Sequence, residues 1–205
     1  MQTLGFLLGA SFASGLNLYA TVAALGLLHR FDVIQLPASL QILAHPLVLA
    51  IAIGLYAIEF VADKIPYVDN VWDVVHTFIR PPAAGVLAYA AMAGVADHWR
   101  VAAALLAGSV ALTSHGTKAS TRAAVNASPE PVSNWLLSLG EDGIAVFLTW
   151  LAATHPVLAL FLALLLVALC VFLVVKLFGF LRRVFRRVFS RRPGASPQSN
   201  SVARG

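Results

Sequence analysis

Glu59, Asp63, Asp69, Asp73 and His76 fall within one short stretch between two apolar segments, accompanied by Lys64 and Arg80. Glu59 and Asp63 are four residues apart and share a helix face if the helix continues. Between Pro66 and Pro81 the spacing predicts a second, short helix with two faces. Asp69, Asp73, His76 and Arg80 lie at i, i+4, i+7 and i+11, one ionisable stripe, and Val68, Val71, Trp72, Val75, Phe78 and Ile79 form an apolar one. Carboxylates and an imidazole in this arrangement can take up and release protons, and His76 is the group whose ordinary pKa lies nearest neutrality. The plainer reading of Asp69 to Arg80 is the wet face of an interfacial helix. Glu59 and Asp63, which directly follow an apolar run, are the stronger functional candidates.

A second group is cationic. His115, Lys118 and Arg122 sit at i, i+3 and i+7 within a small, polar stretch that runs to Asn126. Two cations among hydroxyls could cradle a phosphate or an anionic headgroup; equally, Lys118 and Arg122 could pair with the carboxylates of the first group. The two readings are compatible, because an internal charge network can also be a substrate or proton path. The glycine spacing of a phosphate-binding loop is absent. The six histidines are scattered without a metal-binding spacing, so no metal and no cofactor is expected. No nucleophile–base signature is present either, and Cys170, the sole cysteine, lies in an apolar run.

The elements that must position these residues belong in a membrane. Of 205 residues, 60% are hydrophobic and 11% charged, against about 25% charged in soluble domains. The net charge of +5 comes from the C-terminus, where eight basic and no acidic residues follow from Lys176 onward. That pattern excludes a nucleic-acid-binding face and places the C-terminus on the cytoplasmic side, with Arg182, Arg183, Arg186 and Arg187 against anionic lipid headgroups. The start of the chain lacks a positively charged leader region, and residues 4–28 are expected to be a retained first span. Within it, Gly5 with Gly9 and Ser11 with Gly15 invite close helix packing. Ser14, Gly15 and Asn17 could instead mark a break, the less favoured reading.

Further along, residues 31–43 read as an interfacial connection and 46–62 as a second span opened by Pro46. Residues 83–96 and 101–113 are each short for a span. A helix is expected to start at Ser128-Pro129-Glu130 and to stop at Gly140, leaving 143–153 as a short apolar piece. Residues 156–180 are the cleanest span, followed by a basic amphipathic continuation and a polar tail from Pro193. The expected architecture is all-α: a polytopic helical membrane protein with about six membrane segments, some short or re-entrant, and one amphipathic interfacial helix. One membrane domain covers 1–181 and a basic tail 182–205. Weak echoes between 7–15 and 105–116, and between 44–50 and 154–160, admit an inverted repeat.

At 15–21 (GLNLYAT), at 59–85 (EFVADKIPYVDNVWDVVHTFIRPPAAG) and at 115–142 (HGTKASTRAAVNASPEPVSNWLLSLGED), the chain resembles a family of bacterial integral membrane proteins catalogued as domain of unknown function 4126. The resemblance covers roughly residues 4–180. It implies a bacterial inner-membrane protein whose two polar stretches are the family's signature, and it carries no assigned reaction. The reading that fits best is a small transporter or channel-like protein handling an anionic or proton-coupled substrate, with Glu59, Asp63, Asp69, Asp73, His76, His115, Lys118, Arg122 and Asn126 on its path. A membrane-embedded enzyme acting on a lipid headgroup, with His76 or His115 as acid–base group, and a non-catalytic scaffold are the alternatives. The expected partners are the lipid bilayer and its anionic headgroups; a homo-oligomer stays open.

Overall fold

In the computed structural model, residues 1–65, 67–126 and 131–189 are described, and their regular secondary structure is entirely helical. The helices are α1 (Gln2–Leu16), α2 (Leu18–Arg30), a 3-10 helix (Ala38–Ala44), α3 (Pro46–Ala62), α4 (Val68–Thr77), α5 (Arg80–Ala91), α6 (Asp97–Asn126), α7 (Pro131–Thr154) and α8 (Pro156–Phe189). The expected helix start at 128–130 and the tail from 193 lie outside the described residues, as does the side chain of Arg187. α7 and α8 supply two helices long and apolar enough to cross a membrane, Val132–Thr154 and Pro156–Phe180. The 3-10 helix and α3, bent by 63° at His45, count as a third if taken together. The polarity of the molecule is that of a membrane-associated protein: Leu105, Phe161, Leu165, Phe172 and Val175 are exposed, while arginines, carboxylates and histidines are buried.

α1 is the hub, packing against α2, α5, α6, α7 and α8. Its small residues make this possible. A Cβ at Gly5 would collide with the Pro156 carbonyl of α8, and one at Gly9 would fall 2.7 Å from the Ala152 Cβ of α7. A Cβ at Gly15 would overlap Ser114 and Ala111 of α6. The same device joins α5 to α6, where a Cβ at Gly85 would lie 3.1 Å from the Ala104 carbonyl oxygen and one at Gly108 3.1 Å from that of Pro81. Phe12, Ala13, Leu148, Ala152, Ala159 and Ala163 form the core between α1, α7 and α8.

Three prolines fix where helices begin. Pro46 opens α3, whose first turn is capped by His45 Nδ1 accepting from the Leu47 N–H at 3.2 Å. Pro81 lies in the first turn of α5, so that helix starts at Arg80 and ends at Ala91, borrowing length from the segment before residue 83. Pro156 opens α8.

Elsewhere the expected boundaries move. Gly140 does not stop a helix: α7 continues through Gly140 and Gly143 to Thr154, because neither glycine has a neighbouring atom to accommodate and both lie in an otherwise helix-forming run. Residues 101–113 and 114–126 are one 30-residue helix, α6. α8 has 34 residues, about 51 Å at 1.5 Å per residue, and passes the 181/182 boundary without a break. That exceeds a hydrocarbon core of roughly 30 Å, and Arg182, Arg183 and Arg186 are exposed on its far end.

The close approach of α1 and α6 gives a direct test. Gly15→Ala is expected to destabilise the protein by about 1–3 kcal/mol, since the methyl meets backbone that cannot shift. Gly54→Ala, where nothing lies within 4 Å, should be neutral or stabilising by up to about 1 kcal/mol. Thermal unfolding in detergent measures both.

Candidate functional site

The first apolar run, residues 4–28, is broken. α1 ends at Leu16, Asn17 takes an extended conformation (φ −151°, ψ 102°), and α2 starts at Leu18. The Asn17 side chain explains the restart: its Oδ1 accepts from the Ala20 N–H at 2.9 Å, capping α2. Close packing at Gly15 and a break at Asn17 therefore coexist, although the sequence presents them as alternatives.

A helix that ends inside a protein leaves carbonyls without partners and concentrates partial negative charge there. Two cations meet that need. Arg80 donates from Nη1 to the Gly15 carbonyl at 2.9 Å, and Lys118 donates from Nζ to the Leu16 carbonyl at 2.9 Å. Both side chains are buried, so each requires a counter-charge. Arg80 Nη2 donates to Glu59 Oε1, which also lies 3.4 Å from Lys118 Nζ. Lys118 donates to Asp63 Oδ2 at 3.1 Å. Asp63 faces Arg122 through both oxygens, with Nη2 donating at 2.8 Å. Arg122 turns its Nε and Nη2 to Glu141 of α7. The result is an alternating chain, Arg80–Glu59–Lys118–Asp63–Arg122–Glu141, linking α5, α3, α6 and α7 at the end of α1.

His115 extends the chain at one end. Its Nδ1 lies 2.8 Å from Arg80 Nη1, which can only donate, so Nδ1 is the acceptor and the ring proton sits on Nε2. Nε2–H faces the Asp73 carbonyl at 3.0 Å and the Thr77 hydroxyl at 2.9 Å. Protonating His115 would set a second cation against Arg80, so this ring is held neutral. His76 differs. Its Nδ1 donates to the Trp72 carbonyl at 2.8 Å, leaving Nε2 to accept from the Tyr19 hydroxyl at 3.0 Å, and its ring stacks on Trp72.

α4 is oriented opposite to the wet-face reading. Asp69, Asp73, His76 and, just beyond it, Arg80 are buried, whereas Val68, Val71, Val75 and Phe78 are exposed. The helix is amphipathic as expected, but in apolar surroundings the ionisable face turns inward to the cations. Asp69 Oδ2 accepts from Asn126 Nδ2 at 2.7 Å and from Asn134 Nδ2 at 3.3 Å. Asp73 is 2% exposed and neither carboxylate oxygen has a hydrogen-bond partner. α4 is too short to span a bilayer. On it, burial pushes the Asp73 carboxyl up to about 6, against the opposing pull of Lys118, Arg122 and Arg80. Burial likewise pulls His76 below its ordinary value. Burial thus moves Asp73 toward neutral pH and His76 away from it.

All nine path candidates therefore come together, and the structure adds to them. Glu141 and Asp142 enter from α7, with Asp142 Oδ1 accepting from Asn17 Nδ2 at 2.8 Å. Arg80, Asn17, Asn134 and Tyr19 complete the set. The signal for the α7 members is their spacing: Asn134, Ser138, Glu141 and Asp142 lie at i, i+4, i+7 and i+8 and are all buried. Ending that helix at Gly140 hides it. The arginines at 182, 183 and 186 lie outside the centre, exposed on α8. Among the described residues no group of three or more His, Cys, Asp or Glu side chains is arranged to hold a metal ion.

Two outcomes follow for stability. Removing one member of a buried ion pair strands the other, so Arg122→Met is expected to cost about 3–5 kcal/mol. Adding Glu141→Gln should recover part of that loss in a double-mutant cycle read by unfolding in detergent. Folding also raises the Asp73 pKa, so the folded state binds this proton more tightly than the unfolded chain. This contribution to stability is present below the ordinary value of 3.8 and is lost as pH rises to about 6, a difference of roughly 3 kcal/mol. Asp73→Asn should remove that part of the pH slope.

No curated protein and no solved structure matches the chain. A family described as a domain of unknown function, DUF4126, matches residues 4–176, which include the α1–α2 break and every member of the buried charge centre. The chain belongs to the DUF4126 family.

Proposed function

We propose that this protein is a small multi-pass transporter of the bacterial inner membrane, and that protons move through, or drive, the charge centre at the α1–α2 break. One observation carries the reading: an apolar helix is interrupted where six buried carboxylates (Glu59, Asp63, Asp69, Asp73, Glu141 and Asp142) face three buried cations (Arg80, Lys118 and Arg122). Ionisable groups are expensive in such surroundings and mark ion pathways and proton relays. Interrupted helices whose ends meet charged groups are a recurring device of secondary transporters.

The charge count favours protons over an anionic substrate. Each cation already contacts a carboxylate, and with all six acids ionised the centre would carry a net charge of −3. A free anion would enter against that charge, whereas protons relieve it. For the alternative of a lipid-headgroup enzyme, both acid–base candidates already have partners at their two ring nitrogens, His115 in Arg80 and the Asp73 carbonyl and His76 in the Trp72 carbonyl and the Tyr19 hydroxyl. In the proposed topology about six helical segments lie in the membrane, with α1 and α2 as half-spans. The exposed arginines of α8 meet anionic lipid at the cytoplasmic face.

Proton flux into proteoliposomes under an imposed potential, followed with a trapped pH dye, tests this reading. The wild type should conduct, and Glu59→Gln, Asp63→Asn and Lys118→Ala should each lower the flux about tenfold or more while eluting as folded protein. Unchanged flux in all three would remove the site assignment.

A further inference from the structure

The six buried carboxylates are not equivalent. Glu59, Asp63 and Glu141 are in contact with Arg80, Lys118 and Arg122, three anions for three cations. Asp69 and Asp142 carry no cation but rest on amides: Asp69 on Asn126, Asn134 and the Asn70 N–H, and Asp142 on Asn17. Asp73 has neither. It is 2% exposed, and both its oxygens lack any donor. An isolated ionised carboxylate is among the costliest groups to bury, and a neutral carboxylic acid is far cheaper.

The groups facing Asp73 sharpen the point. From α6 come Lys118 and Arg122, from α5 Arg80, and from the end of α3 Asp63. His115 of α6 faces the Asp73 main-chain carbonyl, and its own helix adds Asp69 and His76. The three cations are each held at contact distance by another carboxylate, so they attract Asp73 only at longer range. Glu59, Asp63 and Glu141 already match the three cations one for one, so an ionised Asp73 adds a charge that no contact compensates.

α4 itself is fastened in an unusual way. None of its residues belongs to the buried apolar clusters. It is held by side-chain hydrogen bonds: Asp69 to Asn126 and Asn134, His76 to Tyr19, and Thr77 to His115. At its start Tyr67 has a left-handed backbone (φ 70°), and at its end Phe78 and Ile79 turn the chain into α5. Such an element can leave the body without dismantling a core.

We propose that Asp73 is the proton-binding group of this centre, protonated while α4 is docked on α6 and deprotonated when α4 moves away. The step is a simple acid dissociation: the Oδ–H bond breaks, the proton passes to water, and the carboxylate remains. Docking then requires reprotonation, which ties the position of α4 to proton uptake. Use of that proton for transport rests on the function proposed above; its presence on Asp73 does not.

Infrared spectroscopy of the full chain in lipid nanodiscs, recorded as a pH titration, tests the assignment. A carbonyl band from a protonated carboxyl group should persist at about pH 5, where ordinary Asp and Glu are ionised, and be missing in Asp73→Asn. Hydrogen exchange on the same samples, corrected for the intrinsic pH dependence, should show the amides of α4 becoming several-fold faster as that band titrates away, with no such change in Asp73→Asn. If Asp73→Asn does not fold, Asp73→Glu replaces it, and the band must move in frequency or midpoint. A band unaffected by either substitution, or α4 exchange with the same pH dependence in Asp73→Asn, overturns the proposal. Absence of proton flux from vesicles would remove the transport reading and leave the band, and so this assignment, intact.

Discussion

Three oxygens of different origin converge on the Lys118 ammonium group inside an apolar molecule: the Leu16 carbonyl, Asp63 and Glu59. Each of its three donors is engaged. Losing any one unbalances a buried charge network in surroundings that solvate ions poorly. The break in α1 supplies the carbonyl, the end of α3 supplies the carboxylates, and α6 supplies the lysine. The helices therefore cannot be repositioned independently of the charges. The small residues that let α1 approach α6 and α8 serve the same end, since without Gly15 the Leu16 carbonyl could not come within reach of Lys118.

The centre joins local rules that act in the same direction. The end of a helix attracts cations, and Arg80 and Lys118 occupy that end. The start of the next helix is capped by Asn17, whose amide then reaches Asp142. Arg122 presents its planar fork to two acids at once, Asp63 and Glu141, which a lysine could not do with equal geometry. Against this well-paired frame Asp73 stands out, and its helix is attached by polar contacts rather than by a core. The same helix thus holds the least satisfied acid and the loosest apolar anchoring.

Much of this was legible in the residues, and the failures share a cause. Pro46 and Pro156 mark helix starts because proline fits the first turn, and the small residues of α1 mark close packing. The spacing of His115, Lys118 and Arg122 put them on one face, and they do share one. Amphipathicity, by contrast, does not state which face is inside. On α4 the soluble-protein habit of turning charges outward gives the wrong answer, because the surroundings are apolar and the partners for Asp69 and Asp73 come from α6 and α7. Glycine misled for a similar reason: Gly140 reads as a stop in isolation, yet in α7 it is passed through, and the polar stripe from Asn134 to Asp142 becomes visible only once the helix is drawn whole. The pairing of residues more than fifty positions apart, such as Glu59 with Lys118, is a property of the fold and not of any local pattern.

The account depends most on the acidic end of α3 meeting the basic face of α6 inside the protein. Solid-state NMR in bilayers can measure that contact directly, as dipolar dephasing between 15Nζ-labelled lysine and 13C-labelled carboxylates. The chain has three lysines, at 64, 118 and 176. One lysine signal should dephase strongly, consistent with Nζ–O separations of 3.1 Å to Asp63 and 3.4 Å to Glu59, and that signal should vanish in Lys118→Met. Equal, weak dephasing of all three lysines, or a Lys118 signal that exchanges freely with water, would contradict a buried charge centre.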